Sequence, residues 1–159
     1  ETEEAVLIGA GGAARAVAAG LNERGYRLII LNRTIERAEE MVEDLKLTRA
    51  RVFPLEALSD FAAESQLVVN TISLGHSGGS LDLPKNEGAA FVDISYGAAV
   101  EATLENARQA GWRVLDGLPM LVGQAADAFK LWFDIDPDRL AALKACRDWT
   151  GTQETLQLA

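Results

Sequence analysis

"VLIGAGGAARAV", residues 6–17, places three glycines between an apolar run and an alanine-rich segment. The apolar run is too short and too apolar for a surface helix, so it predicts a buried strand at residues 5–8. The segment after the glycines predicts a helix at residues 13–22. A turn that only caps a helix needs one glycine. Three glycines predict backbone that is cleared of side chains so that a bulky group can approach it.

The rest of the chain continues this alternation of short apolar runs and helical segments. Apolar strands joined by helices imply a parallel sheet covered on both faces. The predicted fold is therefore α/β, a doubly wound, Rossmann-like parallel sheet with ligands bound at the carboxyl ends of its strands. Further strands are predicted at residues 27–31, 51–53, 67–71, 90–94 and 113–115, a loop at 74–88, and helices at 35–45, 100–110, 118–133 and 137–149, the last with Pro137 at its N1 position.

Length and composition limit the class of partner. A chain of 159 residues with 48% hydrophobic and 25% charged residues is typical of one globular domain. Its net charge of −9 argues against nucleic acid or an anionic membrane as a partner. No apolar run could span a bilayer and no signal peptide is seen, so a cytoplasmic protein is expected. Cys146 and His76, each the only residue of its type, predict neither an internal disulfide nor a metal site, and no catalytic role is expected for His76.

The segment from Gly9 to Ala14 fits the pattern G-x-G-x-x-A between a strand and a helix. In that pattern Gly9 permits the tight turn, Gly11 lets the backbone approach a pyrophosphate, and Ala14 lets the helix pack closely on the strand. The helix N-terminus then offers free N–H groups to the anion. The pattern predicts a dinucleotide site, and a purely structural glycine-rich turn is the alternative.

The end of the second strand indicates which dinucleotide is bound. NAD-binding domains of this kind usually have an acidic residue there, whereas this strand ends Leu31-Asn32-Arg33-Thr34 and Arg37 follows one helical turn later. Two guanidinium groups suit a 2′-phosphate, which predicts NADP rather than NAD. The alternative is a polar turn in which Thr34 caps the helix and Arg37 pairs with a helix glutamate.

Four motifs in order resemble the NADP-binding domain of shikimate dehydrogenases: G-A-G-G-A-A, N-R-T-x-x-R-A, V-N-T-x-S-x-G and D-G-L-x-M-L-V-x-Q-A. They extend from Val6 to about Trp132, and the last is the most specific because generic Rossmann domains lack it. The resemblance implies an NADP-dependent oxidoreductase of aromatic amino-acid biosynthesis that interconverts 3-dehydroshikimate and shikimate. Quinate as the preferred substrate stays open. The chain departs from the family pattern at Ile72, at Glu101-Ala102, where Thr-Pro is frequent, and at Pro119, where glycine is common.

The resemblance also implies a role for residues in each motif. Met120 would be interpreted as a core residue without the resemblance, and Tyr96 as the end of a strand. The implied sites are Gly9, Ala10, Gly11, Gly12 and Ala13 for the diphosphate; Asn32, Arg33, Thr34 and Arg37 for the 2′-phosphate; Thr71, Ser73, Ile94, Gly117 and Met120 for the nicotinamide half; and Tyr96 and Gln124 for the substrate hydroxyls.

Hydride transfer to or from a secondary alcohol also needs a group that moves the hydroxyl proton. The resemblance implies a Lys–Asp pair on a substrate domain that precedes the glycine loop, and no lysine of this chain falls in a motif at the cofactor cleft. We therefore expect no catalytic residue here, a Rossmann domain over residues 1–136, and a helix and tail over 137–159 that pack toward the missing N-terminal domain through Leu140, Leu143 and Trp149. Two alternatives remain: a glutamyl-tRNA reductase-like NADPH domain, and a stand-alone NADP-binding sensor or scaffold.

Overall fold

The computed structural model describes residues 3–73 and 81–151, and His76 lies outside them. Within these ranges a sheet of parallel strands alternates with helices, as predicted. The strands are β1 (Glu4–Ile8), β2 (Arg27–Asn32), β3 (Ala50–Pro54), β4 (Leu67–Asn70), β5 (Ala90–Asp93) and β6 (Arg113–Leu115). The helices are α1 (Gly12–Glu23), α2 (Ile35–Asp44), α3 (Leu58–Ala62), α4 (Glu101–Gln109), α5 (Leu118–Phe133) and α6 (Arg139–Thr150).

The strand order is β3-β2-β1-β4-β5-β6. Successive strands are therefore added on one side of β1 up to β3 and on its other side from β4, so the order of the strands reverses between β1 and β4. Val6 on β1 is in register with Ile29 on β2 and with Val68 on β4. Ligands of doubly wound sheets bind at the carboxyl ends of the strands where the order reverses. The fold class predicted from the sequence is confirmed, and this reversal marks where a ligand is expected.

Both faces of the sheet are buried, which explains why β1 is apolar at successive positions. Val6 and Ile8 pack in one cluster with Phe91 and Trp112. Leu7 belongs to a second cluster on the opposite face. A strand covered on one face only would alternate apolar and polar residues. Among the helices that the structure describes, none is long and apolar enough to cross a membrane.

Two parts of the predicted secondary structure need correction. Helix α3, with the 3-10 turn Leu55–Ala57 before it, was not predicted, because five residues are too few to show a helical period. The prediction that Pro137 occupies the N1 position of the last helix was wrong. Asp138 is the N-cap, and its side chain accepts a hydrogen bond from the Ala141 N–H at 3.0 Å. A carboxylate in this position satisfies an N–H group of the first turn, which proline cannot do.

Candidate functional site

The glycine loop leaves the carboxyl end of β1 at the reversal point of the sheet. Gly9 has a φ of +110°, and its N–H donates to the Leu31 carbonyl at 2.8 Å. A Cβ atom at Gly9 would lie 2.4 Å from the Thr71 hydroxyl oxygen. Both the backbone conformation and the close packing therefore require glycine at this position.

The fold itself does not require the next two glycines. Among the described residues, no atom beyond the adjoining backbone lies within 4 Å of the position that a Cβ would take at Gly11 or Gly12. Gly11 has an extended backbone, with φ −89° and ψ −171°, which other residues adopt readily. As the N-cap of α1 it has no side chain to satisfy the first N–H groups, and the first turn of α1 carries no acidic residue. The open space and the first-turn N–H groups, which have no side-chain cap among the described residues, together suit an anion.

A cavity of about 340 Å³ lies beside the loop. Apolar Leu31, Leu55 and Ile72 form part of its wall. No local pattern in the sequence marks Leu55 or Ile72 as wall residues, because their places depend on how β3 and β4 end beside β2 and β1. Seven of the residues predicted to bind the cofactor also line the cavity: Ala10, Gly11, Asn32, Arg33, Thr34, Arg37 and Thr71.

Arg33 and Arg37 are exposed at this cavity. Within residues 3–73 and 81–151 neither of them forms an ion pair, so the predicted alternative of an Arg37–glutamate pair is not found there. By contrast, Arg15 in the first turn of α1 is paired with Asp44. Thr34 is the N-cap of α2 by backbone position, but its side chain makes no capping hydrogen bond. The Asn32 amide donates to the Thr34 carbonyl at 2.7 Å and shapes the turn. Two guanidinium groups thus remain available to an anion.

A second cavity, of about 500 Å³, lies at the amino ends of the strands, on the other side of the sheet from the glycine loop. Glu3, Glu64 and Glu87 line it, with Arg113. A hydrogen bond to the Glu3 carboxylate, together with burial, raises the pKa of the Tyr26 phenol there. Because carboxylates repel phosphate, the charge of this cavity disfavours a dinucleotide, although it is the larger of the two.

The carboxyl ends of β4 and β5 are joined by a buried polar pair that sequence analysis missed. The Asn70 amide donates to one carboxylate oxygen of Asp93 at 2.7 Å. The other Asp93 oxygen accepts from the Ser95 N–H at 2.8 Å, and the Asn70 oxygen accepts from the Ile72 N–H at 3.2 Å. These bonds fix the residues that directly follow β4 and β5. The only signal in the sequence was a polar residue ending each otherwise apolar strand.

Residues predicted to lie along the nicotinamide half come together at these loops. Ile94 follows β5 directly, and a Cβ at Gly117 would lie 1.8 Å from its carbonyl oxygen. The Gly117 N–H donates to the Ser95 carbonyl at 2.8 Å. The Thr71 hydroxyl donates to the Ile8 carbonyl at 2.7 Å, which leaves its oxygen able to accept a further bond. Ser73 is exposed after β4.

The side chains predicted to face the ring and the substrate are open to solvent. Met120 is 40% exposed, so the interpretation of Met120 as a core residue is wrong. Gln124 is exposed on α5, one turn beyond Met120 and on the same side of the helix. Tyr96 is 42% exposed and stands beyond the end of β5. In the part of the chain that the structure describes, neither the Gln124 amide nor the Tyr96 hydroxyl forms a hydrogen bond. These groups are therefore available to a polar ligand.

The described residues contain no group of three or more His, Cys, Asp or Glu side chains that could hold a metal ion. The available chemistry is that of an anion-binding loop, a cavity with two guanidinium groups, and the exposed amide of Gln124 on α5. This combination can hold a dinucleotide 2′-phosphate and present the ring end of the dinucleotide to a polar molecule.

Comparison with known proteins gives two matches to family models. A model described as shikimate / quinate 5-dehydrogenase matches residues 1–119, and a model of the shikimate 5′-dehydrogenase C-terminal domain matches residues 117–147. The shikimate dehydrogenase (NADP(+)) of Hyphomonas neptunium is 55% identical over 141 residues, which are 89% of this chain and 52% of that protein. The chain thus spans about half the length of the curated relatives it matches.

Solved structures of similar proteins agree with the fold. Shikimate 5-dehydrogenase from Thermus thermophilus in complex with NADP(H) and shikimate is 37% identical, with a TM-score of 0.75 over 91% of this chain and 54% of that one. Quinate dehydrogenase from Corynebacterium glutamicum in complex with NAD is 25% identical, with a TM-score of 0.80 over 93% of this chain and 56% of that one.

Proposed function

This chain belongs to the shikimate dehydrogenase family, and we propose that it is the NADP-binding half of an NADP-dependent shikimate dehydrogenase. The parent enzyme would reduce 3-dehydroshikimate to shikimate with NADPH. The observation that carries the proposal is the open space at Gly11 and Gly12 beside a cavity with two guanidinium groups that form no ion pair among the described residues. The family assignment excludes the glutamyl-tRNA reductase alternative. A stand-alone NADP-binding sensor or scaffold remains the second candidate.

The three parts of the proposed cofactor site use different physical means. The backbone of residues 9–13 and the N-terminus of α1 would hold the diphosphate. Arg33 and Arg37 would bind the 2′-phosphate through charge-assisted bonds, with Asn32 and Thr34 beside them. Thr71, Ser73, Ile94, Gly117 and Met120 would line the nicotinamide end.

When NADPH is bound, its nicotinamide ring supplies the hydride for reduction of a carbonyl group. The residues of this chain would orient the ring and hold the substrate near it. Tyr96 and Gln124 are proposed to meet substrate hydroxyl groups, because both side chains are polar, exposed and without a partner among the described residues. The amide of Gln124 can both donate and accept, as a hydroxyl partner requires. The proton-transfer step is proposed to use a Lys–Asp pair that this chain does not supply.

The end of α5 and the outer face of α6 expose large apolar side chains, which suggests a surface that receives the substrate domain. Leu131, Trp132, Leu140 and Trp149 are 83%, 73%, 80% and 87% exposed. Exposed apolar side chains of this size favour a partner surface, and the matched residues are only 52% of the Hyphomonas neptunium relative. We propose that the preceding substrate domain covers this face. Leu143, predicted to share in this contact, is half-buried.

The chain is expected to bind NADP more tightly than NAD. Replacing Arg33 or Arg37 by alanine should each weaken NADP binding by roughly 1–2 kcal/mol and leave the affinity for NAD unchanged. A charged hydrogen bond contributes about 1.5–3 kcal/mol before solvent screening at an exposed site. Calorimetric titration with both cofactors measures this, and added salt should weaken NADP more than NAD.

Arg108→Ala is the matched control, because it removes one exposed positive charge on α4 at the other end of the sheet. It should leave both affinities unchanged. Equal affinity of the unmutated chain for NADP and NAD would refute the phosphate-binding assignment. Failure to bind either cofactor would refute the proposed function itself.

In the complete two-domain enzyme, Gln124→Ala should impair substrate use and leave NADP affinity nearly unchanged. An amide lost from a polar site leaves a substrate hydroxyl unpaired, which typically costs about 1–3 kcal/mol. Steady-state kinetics with shikimate, with NADP titrated separately, measures the effect. Gln109→Ala on α4, where the amide pairs with Glu105, is the control and should change neither quantity. Weakened NADP binding with unchanged substrate kinetics would show that Gln124 is misassigned.

A further inference from the structure

A buried ion pair joins α6 to the residue that precedes the α5 N-terminus. Arg147 is 8% exposed and Asp116 is 3% exposed. The Arg147 Nη2 atom donates to Oδ1 of Asp116 at 2.7 Å, and Nη1 donates to Oδ2 of the same carboxylate. Two parallel bonds between a guanidinium and a carboxylate fix orientation as well as distance. The pair therefore holds Asp116 in one position relative to α6.

The same carboxylate holds the first turn of α5. Oδ1 of Asp116 accepts a hydrogen bond from the Leu118 N–H at 3.2 Å. This bond satisfies a backbone donor at the N-terminus of α5, as a helix cap does. Met120 and Gln124 both lie on α5, so the helix that presents them starts from a residue that Arg147 holds.

The turn between Asp116 and Leu118 packs directly against the loop that follows β5. Gly117 lies against the Ile94 carbonyl, where even a Cβ atom would not fit, and its N–H bonds to Ser95. A movement of Asp116 would therefore be passed to the loop that follows β5. The cavity of about 340 Å³ that Arg33 and Arg37 line, where the adenosine half is proposed to bind, lies on the β2 side of the sheet. Neither Asp116 nor Gly117 lines it.

We propose that Arg147 is a positioning residue for the nicotinamide half of the cofactor. It acts through Asp116 on the Gly117 turn and the start of α5, and it has no part in holding the adenosine half. The inference rests on the proposed function, since it takes the nicotinamide end to lie at Ile94, Gly117 and Met120. It makes α6 part of the cofactor site as well as a surface for a second domain.

The test compares NADP with adenosine 2′,5′-bisphosphate, which has the 2′-phosphate but no nicotinamide. Arg147→Met in the full chain should lower the affinity for NADP about tenfold, because a small misplacement of the groups that contact a ligand is costly. It should leave the bisphosphate affinity within about twofold, because distant sites are energetically independent. Arg147→Lys keeps the charge and loses the two-bond geometry, so it should cause a smaller loss for NADP alone.

Lys144→Met is the matched control, because it removes an exposed positive charge from α6 that pairs with Asp148. It should change neither affinity. Thermal unfolding identifies variants that do not fold, and if Arg147→Met fails to fold, Arg147→Lys carries the test. A parallel loss for both ligands, or no loss for either, overturns the positioning role. An unmutated chain that binds neither ligand refutes the proposed function instead.

Discussion

The 159-residue chain is expected to bind NADP and to form no NADPH when shikimate is added. General acid–base catalysis by itself contributes about a hundred- to ten-thousand-fold to such a rate. The proton-transfer pair is proposed to lie on another domain, and the same domain would supply most of the substrate contacts. Tyr96 and Gln124 would have to hold a small polyol against water, with little advantage of position left.

None of the four lysines replaces the proposed proton-transfer group. Lys46 follows α2 and Lys85 precedes β5, so both lie toward the amino ends of the strands, away from the glycine loop. Lys130 and Lys144 are paired with Asp136 and Asp148 at 2.9 and 2.8 Å. The surface proposed to hold the nicotinamide ring is also open to solvent, since Met120 and Tyr96 are 40% and 42% exposed. Water in contact with the reacting atoms weakens the electrostatic interactions that favour transfer.

The assay follows NADPH absorbance with saturating NADP and shikimate, and calorimetry on the same sample establishes that NADP is bound. The same chain joined to the preceding substrate domain serves as the positive control. Turnover by the chain alone at an ordinary enzymatic rate would mean that the proton-transfer group lies within these 159 residues. A chain that binds NADP and stays inactive even with the substrate domain would favour the sensor or scaffold alternative.

Gly117→Ala is expected to lower the free energy of unfolding by about 2–3 kcal/mol, the upper part of the range for overpacked sites. The added Cβ would lie 1.8 Å from the Ile94 carbonyl oxygen and 2.4 Å from its carbon. Both are backbone atoms, so no side chain can rotate to make room. The backbone of Gly117, with φ −76° and ψ −6°, suits alanine, and the expected loss is therefore steric.

Gly123→Ala is the matched control for this substitution, because Gly123 lies within α5, the helix that Gly117 caps, and no described atom outside the adjoining helix backbone lies within 4 Å of its Cβ position. That variant should gain about 0.5–1 kcal/mol, since alanine is the better helix former. Urea unfolding of the three proteins measures both changes. Similar stability of Gly117→Ala and Gly123→Ala would contradict the close approach of α5 to the β5 loop.

The sequence by itself determined the order of elements and the kind of site. Both follow from local patterns: residues 5–8 of β1 are apolar because both faces of the sheet are buried there, and the glycine loop stands between a strand and a helix. The arginines at the end of β2 were readable in the same way, because a strand end and the next helical turn are close along the chain. Helix α3 escaped prediction because it is shorter than two helical turns.

Only the tertiary structure decided which glycines the fold needs. The sequence pattern predicts a role for both Gly9 and Gly11, yet a Cβ at Gly9 would clash with Thr71, whereas the space at Gly11 is open among the described residues. The Asn70–Asp93 bond and the Arg147–Asp116 pair join residues 23 and 31 positions apart. Such contacts depend on which strands and helices become neighbours, and the packing of the whole sheet determines this, whereas periodicity in the sequence reports only on neighbours within one element.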